Sequence, residues 1–349
     1  MLSTVLETVL SPFRLLANKG ALSPQYRAIE LAPTRISAVA PFGAATVLAP
    51  LGITETVHVD AAAFLATVSS VPNAEMHLSI KDGSLVWRCG TAKGRLGLMP
   101  DVVLPRLPLA GKQIPVTDQL IRAFKLGALS AGGARDGMGT ENMRGVVLDN
   151  RGQPMVYATD NATLSVYILG DTPLIMPELA TISEQGAELL ASVMRPGGSL
   201  SVTDTALMYQ SDTVAAMVQQ TRPMEYDLRA HIDRYEYDTD QVLEIPAERI
   251  GAFARLASTL AAKAANSRVQ LTVGDGQLAL SFQEGSTQMD EYYLTDALQG
   301  FPTQDPVELP ADKLVKVLAH AKGIVVEHLH QNPTVIFCDG PFRCLVSGQ

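Results

Sequence analysis

The feature that most constrains how this chain can fold is a short pattern that recurs along it. The pattern reads apolar-x-apolar, then Asp or Pro, then Ala, and it occurs as VHVDA (57–61), LEIPA (243–247) and VELPA (307–311). A segment of helical periodicity follows each copy, so each copy predicts a short strand that ends where a helix begins. Two hairpins with a central Asp-Gly follow such helices, MHLSIKDGSLVWRC (76–89) and VQLTVGDGQLALSF (269–282).

The spacing of the copies gives the length of the repeating unit. Ala61 and Ala247 are 186 residues apart, which is three times 62, and Ala247 and Ala311 are 64 residues apart. Two further copies are therefore expected between Ala61 and Ala247, and helix starts near Asp118 and Ala180 supply them. With the N-terminal helix as a sixth copy, six units of about 62 residues account for the 349-residue chain.

The repeat also predicts the domain organisation. A unit of about 62 residues rarely buries a core alone, so we expect the units to pair into three tandem α+β domains. Each domain is predicted to contain two helices packed on antiparallel sheets, over residues 1–112, 113–236 and 237–349. We expect linkers at the Pro-rich segment 99–115 and at the charged, Tyr-rich segment 229–241.

The distribution of charge along the chain is more informative than its sum. A net charge of −9 argues against a simple basic nucleic-acid binder. Lys and Arg nevertheless concentrate on the predicted helices, whereas acidic residues lie mainly at helix starts, in linkers and in strands. A basic surface made of helices can hold a phosphate backbone without reading bases, but the exposed helix faces of ordinary proteins also carry Lys and Arg. Charge alone therefore leaves both interpretations open.

Other patterns argue against several classes of site. The three cysteines form no CxxC pair, so we expect neither a disulfide framework nor a zinc site, and we expect a reducing, cytoplasmic location. His328 and His330 lack a third ligand nearby, and the Gly-rich segment 132–139 lacks the ending of a phosphate loop. No G-x-S-x-G, signal peptide or apolar stretch of bilayer length occurs. We therefore expect no catalytic residue, no metal, no cofactor and no membrane partner.

Three segments, together with the repeat, resemble a known family over essentially the whole chain. Residues 157–166 read YATDNATLSV, where the family typically has V-A-T-D-G-H-R-L-A-V, and the runs 10–31 and 243–282 match the openings of its first and third domains. The family is the bacterial sliding clamp, the beta subunit of DNA polymerase III. The resemblance implies a DNA clamp fold in which two three-domain chains close head to tail into a ring around duplex DNA. Such a homodimer is a non-catalytic processivity factor.

The resemblance also implies partners and candidate residues. One implied partner is double-stranded DNA, bound without sequence preference. The others are a replicative DNA polymerase and a clamp loader, which would dock through short hydrophobic motifs. The protein would be nucleoid-associated during replication. Candidate DNA contacts are basic residues on or near the helices: Arg14, Arg27, Arg122, Lys125, Arg144, Arg195 and Arg255. A partner-peptide pocket between the second and third domains would be lined by Met143, Thr159, Asp160, Leu164, Leu345 and Val346.

The sequence departs from the family at that pocket. Asn161-Ala162-Thr163 stands where Gly-His-Arg is usual, and the chain ends in CLVSGQ instead of M-P-x-R-L. The departure leaves the motif specificity of the pocket open, and a divergent replication system such as a phage's would account for it. A repeat-built structural or virion assembly protein without a DNA role is the alternative function, and an enzyme is the third class considered.

Overall fold

A computed structural model describes residues 3–17, 21–105, 107, 113–131, 145–170, 174, 176–222, 227–236, 242–262, 267–284, 287–300, 305–325 and 334–348. These residues form α-helices and antiparallel β-strands, which confirms the α+β class. The helices are α1 (Ser3–Leu10), α2 (Phe13–Leu16), α3 (Ala61–Ser70), α4 (Asp118–Gly127), α5 (Glu184–Val193), α6 (Arg229–Asp233), α7 (Ala247–Ala261) and α8 (Ala311–Leu318).

The strands follow the same chain order. Those of the first half are β1 (Ala28–Ala32), β2 (Arg35–Ala40), β3 (Gly43–Leu48), β4 (Val57–Asp60), β5 (Met76–Lys81), β6 (Ser84–Cys89), β7 (Ala92–Gly97), β8 (Gln113–Pro115), β9 (Val146–Asp149), β10 (Met155–Thr159) and β11 (Thr163–Ile168). Those of the second half are β12 (Leu179–Ile182), β13 (Ser199–Val202), β14 (Ala206–Gln210), β15 (Val214–Gln219), β16 (Val242–Glu244), β17 (Arg268–Gly274), β18 (Gln277–Glu284), β19 (Thr287–Leu294), β20 (Val307–Pro310), β21 (Gly323–Val325), β22 (Thr334–Asp339) and β23 (Phe342–Ser347).

The chain divides into two compact units, and the first comprises Met1–Phe124 and Pro173–Arg222. Its large sheet has the strand order β4-β1-β2-β3-β15-β14-β13-β8, and a smaller sheet has the order β5-β6-β7. The large sheet consists of two half-sheets that meet where β3 pairs antiparallel with β15, with Ala45 opposite Ala216. Side chains alternate along its strands, so Val57 and Val59 of β4 are buried against the core.

The second unit comprises Lys125–Thr172 and Pro223–Gln349. One sheet contains the run β9-β10-β11-β23-β22-β21-β16, and the other has the order β19-β18-β17-β20. In the first of these sheets, two half-sheets meet where β11 pairs antiparallel with β23. The long helix α7 buries Ile250, Phe253, Leu256 and Leu260, whose spacing is that of one helical face, and it packs against α8.

The half-sheets share one connection pattern, which confirms the repeat. In those that begin at β4, β8, β16 and β20, the strand that leads into a helix pairs with the first strand of a three-stranded meander. The third meander strand then lies at the opposite edge. Third strands pair with each other at the β3–β15 and β11–β23 junctions, whereas the third strands β7 and β19 border no further strand among the described residues.

Most helix starts lie where the sequence predicts them. Helices α3, α7 and α8 begin at Ala61, Ala247 and Ala311, the last residue of each recurring pattern. The expected start near Ala180 is wrong, because Ala180 lies in β12 and helix α5 begins at Glu184. The helix begins there because the Ser183 Oγ accepts a hydrogen bond from the Gly186 backbone amide at 3.1 Å and so caps its first turn.

The expectation of a linker at 229–241 is also incomplete, since the segment begins with helix α6. Leu228, Ile232 and Tyr235 are spaced i, i+4, i+7, which is a helical spacing that the high charge of the segment obscures. The division into three domains at residues 1–112, 113–236 and 237–349 stays a prediction.

Candidate partner-binding cavity and basic helices

The hairpin between β10 and β11 has a tip that is held by its own polar side chains. Asp160 Oδ1 accepts hydrogen bonds from the backbone amides of Ala162 and Thr163, at 3.1 and 2.7 Å, and from the Thr163 hydroxyl at 2.9 Å. Thr159 donates from its hydroxyl to the Thr163 carbonyl at 2.7 Å. Asn161 has a φ of 71°, in the left-handed region that Gly and Asn adopt most readily. The polar residues between the two strands therefore form a self-bonded turn.

The second carboxylate oxygen of Asp160 connects this tip to helix α8. Lys313 Nζ lies 2.8 Å from Asp160 Oδ2, and the side chains of the two residues are 19% and 9% exposed. An ion pair so little exposed to water is screened less than a surface pair. Asp160 therefore has a structural role in both the turn and its attachment to α8.

A cavity of about 280 Å³ lies beside this hairpin, within the second unit. Its floor follows one row of the sheet, because Thr159 pairs with Leu164 and Leu164 pairs with Leu345 across three strands. Leu228, His231 and Tyr235 from α6 and its flanks form one wall. The rest of the lining is polar: Asn161, Thr163, Thr334 and Ser347.

Three of the predicted pocket residues line this cavity, namely Thr159, Leu164 and Leu345. Asp160 and Val346 are not among its lining residues. Val346 follows Leu345 in β23, so its side chain points to the opposite face of the sheet, where it is fully buried. Met143 lies outside the described residues. The sequence does not predict the α6 wall, although the helical spacing from Leu228 to Tyr235 indicates that a helix lies there.

A cluster of charged residues fastens α6 to the loop between β9 and β10. Asp149, at the end of β9, is fully buried, and Arg151 donates to both of its carboxylate oxygens, from Nε at 3.2 Å and from Nη2 at 2.8 Å. The same guanidinium donates to both oxygens of Asp227, at 2.9 and 3.0 Å. Arg229 donates from Nη1 to the backbone carbonyls of Arg151 and Gln153, at 2.8 and 2.9 Å.

Contacts within this cluster shift the pKa values of Arg151 and Asp227 in the direction that favours their charged forms. Hydrogen bonds from Arg151 lower the pKa of the Asp227 carboxyl, and the bonds to Asp149 and Asp227 raise the pKa of the Arg151 guanidinium. Burial, with the nearby charge of Asp149, raises the pKa of the Tyr157 phenol, whose hydroxyl donates to Asp149 at 3.4 Å. Arg151 and Asp227 therefore both carry their charges at neutral pH.

The predicted DNA-contact residues that the structure describes are all exposed: Arg14, Arg27, Arg122, Lys125, Arg195 and Arg255. Arg144 lies outside the described residues. Arg122 and Lys125 are three residues apart on α4, so they are neighbours on one surface of that helix. Arg255 lies on α7. Contact of these residues with DNA stays a prediction.

Three of the basic candidates have side-chain contacts with identified groups of the protein. Arg14 lies 2.6 Å from Glu7 and also donates to the Ser69 hydroxyl at 2.8 Å. Arg27 lies 3.3 Å from Asp60, the residue that caps α3. Arg195 follows α5 and donates to the carbonyls at the end of that helix. To bind a phosphate, each of these side chains would have to leave its present partner within the protein or contact both groups at once.

The described residues contain neither a membrane-spanning helix nor a cluster of metal-ligating side chains. None of the helices there is long and apolar enough to cross a membrane. The same residues contain no group of three or more His, Cys, Asp or Glu side chains placed to hold a metal ion.

No protein-family model and no curated protein sequence matches this chain, so its likeness to known proteins is structural. The chain is similar to the Helicobacter pylori beta clamp bound to a DNA ligase peptide, with a TM-score of 0.72, 14% identity, and coverage of 100% of this chain and 99% of that one. It is also similar to the DNA polymerase III subunit beta of Pseudomonas aeruginosa (TM-score 0.70, 12% identity, coverage 100% and 98%). The Caulobacter crescentus pol III beta is a third such structure (TM-score 0.71, 15% identity, coverage 100% and 98%). Over its whole length, this chain has the fold of the bacterial DNA polymerase III beta clamps, from which its sequence diverges widely.

Proposed function

We propose that this protein is a DNA sliding clamp, a ring-shaped and non-catalytic processivity factor that encircles duplex DNA and tethers a replicative polymerase. The observation that carries the proposal is the full-length likeness to bacterial beta clamps, at TM-scores of 0.70 to 0.72 for the three structures named above. A repeat-built structural or virion protein without a DNA role is not favoured, because clamps are what the chain resembles from end to end.

The sheet edges support assembly of two copies into a ring. Within the chain, third meander strands pair with each other at the β3–β15 and β11–β23 junctions. The third strands β7 and β19 are left at sheet edges, where unpaired backbone groups invite pairing with another chain. Pairing of β7 in one copy with β19 in the next would repeat the internal junction. Two copies joined in this way at both ends would close a six-domain homodimer.

The charges of these two edges are complementary. Strand β7 carries the exposed Lys93 and Arg95, whereas β19 carries Asp290 and Glu291. Pairing of β7 with β19 brings opposite charges together, but pairing of β7 with β7 or of β19 with β19 brings like charges together. The edges therefore favour head-to-tail association over pairing of identical edges. This surface also exposes Tyr292 and Leu294 of β19, which such an interface would cover.

The proposed DNA contact is electrostatic. Exposed Arg and Lys side chains such as Arg122, Lys125 and Arg255 can bind phosphates on any sequence, which suits a ring that slides. The net charge of −9 would keep the rest of the protein away from DNA. Since Cys89, Cys338 and Cys344 are buried and form no disulfide with one another, we place the protein in a reducing cytoplasm, associated with the nucleoid during replication.

The cavity beside α6 is the proposed docking site for partner proteins. One similar structure is a beta clamp bound to a DNA ligase peptide, and we infer that this cavity accepts short apolar segments of a polymerase, a clamp loader and other DNA-processing proteins. Leu164, Leu228 and Leu345 would contact the apolar side chains of such a segment. The hydroxyl groups around them would bind its backbone.

Sedimentation and DNA retention together test the proposal. A dimer of the 37.3 kDa chain is expected at micromolar concentration, and a loaded ring should stay on closed circular DNA but slide off the same DNA after it is cut. Glu substitutions at Arg122 and Lys125 should weaken retention equally on DNA of any sequence. A strict monomer, or equal retention on circular and linear DNA, would contradict the proposal.

A further inference from the structure

Helix α6 forms a wall of the cavity, yet it is too short to hold its own position. It has five residues, Arg229–Asp233, and an isolated helix of fewer than about 12 residues is marginal in water. The buried Leu228 and Ile232 anchor its apolar side. The placement of Leu228, His231 and Tyr235 against the cavity therefore depends on contacts that this segment makes with the rest of the second unit.

The polar contacts of the segment lie at its two ends. At the start, Asp227 accepts from the Arg151 side chain and from the Arg229 backbone amide, and Arg229 donates to the carbonyls of the loop that carries Arg151. At the end, Arg343 of β23 donates from Nη1 to the Tyr235 carbonyl at 3.4 Å. The contacts at the start are shorter than this one, at 2.8 to 3.0 Å, and Arg151 and Asp227 both carry charge, so we take the start as the stronger attachment.

Arg151 is the residue that joins this attachment to the core of the unit. Its guanidinium donates to the fully buried Asp149 and to Asp227, at the start of the α6 segment, at the same time, with Nε, Nη1 and Nη2 all engaged. A planar fork with five donors can bind two carboxylates in this way, whereas a Lys ammonium acts as a single point charge. The buried carboxylate fixes the guanidinium, and the guanidinium fixes Asp227.

We propose that Arg151 is a positioning residue for the partner-binding cavity: by holding Asp149 and Asp227 together, it fixes α6 as the cavity wall. Arg151 is not among the lining residues of the cavity, so it acts on a bound segment only through α6. The inference rests on the proposed role of the cavity in binding peptides. It adds that peptide affinity depends on an ion-pair network outside the cavity.

The choice of variant matters, because removing Arg151 would leave the buried Asp149 carboxylate without its cation and would destabilise the whole unit. Asp227→Asn removes the negative charge and one acceptor oxygen from the attachment and leaves the Arg151–Asp149 contact intact, and the Asp227 side chain is 58% exposed. Asp339→Asn is the matched control. It removes the charge from another ion pair of the same unit, Lys322–Asp339 at 3.1 Å, and neither residue lines the cavity.

Hydrogen exchange measures the position of α6 directly. The amides of His231, Ile232 and Tyr235 bond to carbonyls within the segment and should be protected in the wild type. Loss of an exposed pair of this kind should speed their exchange about fivefold in Asp227→Asn, and leave it unchanged in Asp339→Asn. Exchange elsewhere in the unit, and the thermal midpoint, should stay close to wild type in both variants.

Peptide binding measures the consequence. The probe is a panel of short synthetic peptides that each carry two or three apolar residues, titrated by fluorescence anisotropy. For a peptide that binds the wild type, Asp227→Asn should weaken binding about fivefold, because the helix that it loosens is a wall of the cavity. The Asp339→Asn variant should bind the peptide as tightly as the wild type does. Arg151→Lys should weaken binding too, because it cannot bridge both carboxylates.

The outcomes separate this inference from the proposed function. If no peptide binds the wild type, the proposed docking role fails, while the exchange rates still show whether Asp227 and Arg151 position α6. If exchange in Asp227→Asn equals that in the wild type, the positioning role is wrong. If exchange rises but peptide affinity does not change, α6 moves without affecting the cavity, and the inference is also overturned.

Discussion

Reversing the charges on one sheet edge should break the proposed dimer, and mixing two oppositely reversed chains should restore it. The first variant replaces Lys93 and Arg95 of β7 by Glu, and the second replaces Asp290 and Glu291 of β19 by Lys. In either variant alone, both junctions of the ring bring like charges together. In a mixed dimer, the acidic β7 of one chain meets the basic β19 of the other, and the remaining junction pairs an acidic β19 with a basic β7.

The size of the effect follows from the position of these residues on their strands. Lys93 and Arg95 are two residues apart, so their side chains lie on one face of the sheet, whereas Asp290 and Glu291 are adjacent and point to opposite faces. Only one of the two acidic residues can therefore share a face with Lys93 and Arg95. It would lie directly opposite one of these basic residues and diagonal to the other, which gives about two charge pairs per junction. Such pairs contribute roughly 0.2–1 kcal/mol each, and reversal replaces attraction by repulsion, which gives about 1–2 kcal/mol per junction. A ring has two junctions, so the dissociation constant should rise about 30- to 1,000-fold.

Analytical ultracentrifugation at low salt measures this change, because salt screens exposed charges. Each variant should sediment as a monomer at concentrations where the wild type is a dimer, and an equimolar mixture should return to the dimer. The matched control reverses Lys81 and Arg88, which are exposed on the same small sheet but lie on β5 and β6. This control should dimerise like the wild type, since neither residue lies on the edge strand β7.

The mixture is the decisive part of the experiment. Loss of the dimer in the single variants alone could result from damage to the strands, but damaged strands would not recover on mixing. If both variants remain dimers of wild-type strength, or if the mixture associates no better than its components, the assignment of β7 and β19 as the joining edges is wrong.

Three further predictions test the turn, the core and the basic helices. Asn161→Val should lower the free energy of unfolding in urea by about 1–2 kcal/mol, because a β-branched residue is strained at a φ of 71°, whereas Asn161→Gly should be close to neutral. Burial raises the pKa of the Cys344 thiol to about 12 from an ordinary value of 9.0. The stability that the buried, protonated thiol contributes should therefore be full below pH 9 and be lost as the pH rises toward 12. Denaturation curves at several pH values measure this loss. Each Gln substitution at Arg122 or Lys125 should reduce the slope of log affinity for DNA against log salt by about one unit, measured on two unrelated DNA sequences.

The repeat could be predicted from the sequence because the residues that start its helices and form its hairpin turns are close together in the sequence. A helix start needs only a few neighbouring residues to be recognised, and an Asp-Gly hairpin needs only two. The structure accordingly has φ values of 49° at Asp82 and 33° at Asp275, each followed by a Gly with positive φ, as the tight hairpins require. The start of α5 was misplaced because PELATISE offers several residues that can begin a helix, and only the capping geometry of Ser183 distinguishes them.

The walls of the cavity could not be predicted in the same way, because they depend on pairs that are distant in sequence. Arg151 and Asp227 are 76 residues apart, and the local sequence around either residue does not indicate that the other is its partner. The same holds for Asp160 and Lys313, which tie the hairpin tip to α8. The high charge of the segment that contains α6 predicts a linker, but in the folded protein that charge attaches a short helix.

The turn at Asp160–Ala162 shows how the sequence can diverge at the cavity while the backbone stays the same. The residue at 161 must adopt a left-handed conformation, which Gly does without strain and which Asn tolerates better than other side chains. Replacing the family's usual Gly by Asn161 therefore keeps the hairpin geometry, and Asp160 still bonds the amides at 162 and 163. What changes is the chemistry that faces the cavity, since an amide and a hydroxyl, Asn161 and Thr163, now line a rim where the resemblance implies Gly and Arg. If the cavity binds partner segments as proposed, the absence of the Arg that the resemblance implies predicts that these segments depend less on acidic residues than those of a clamp with Arg at that position.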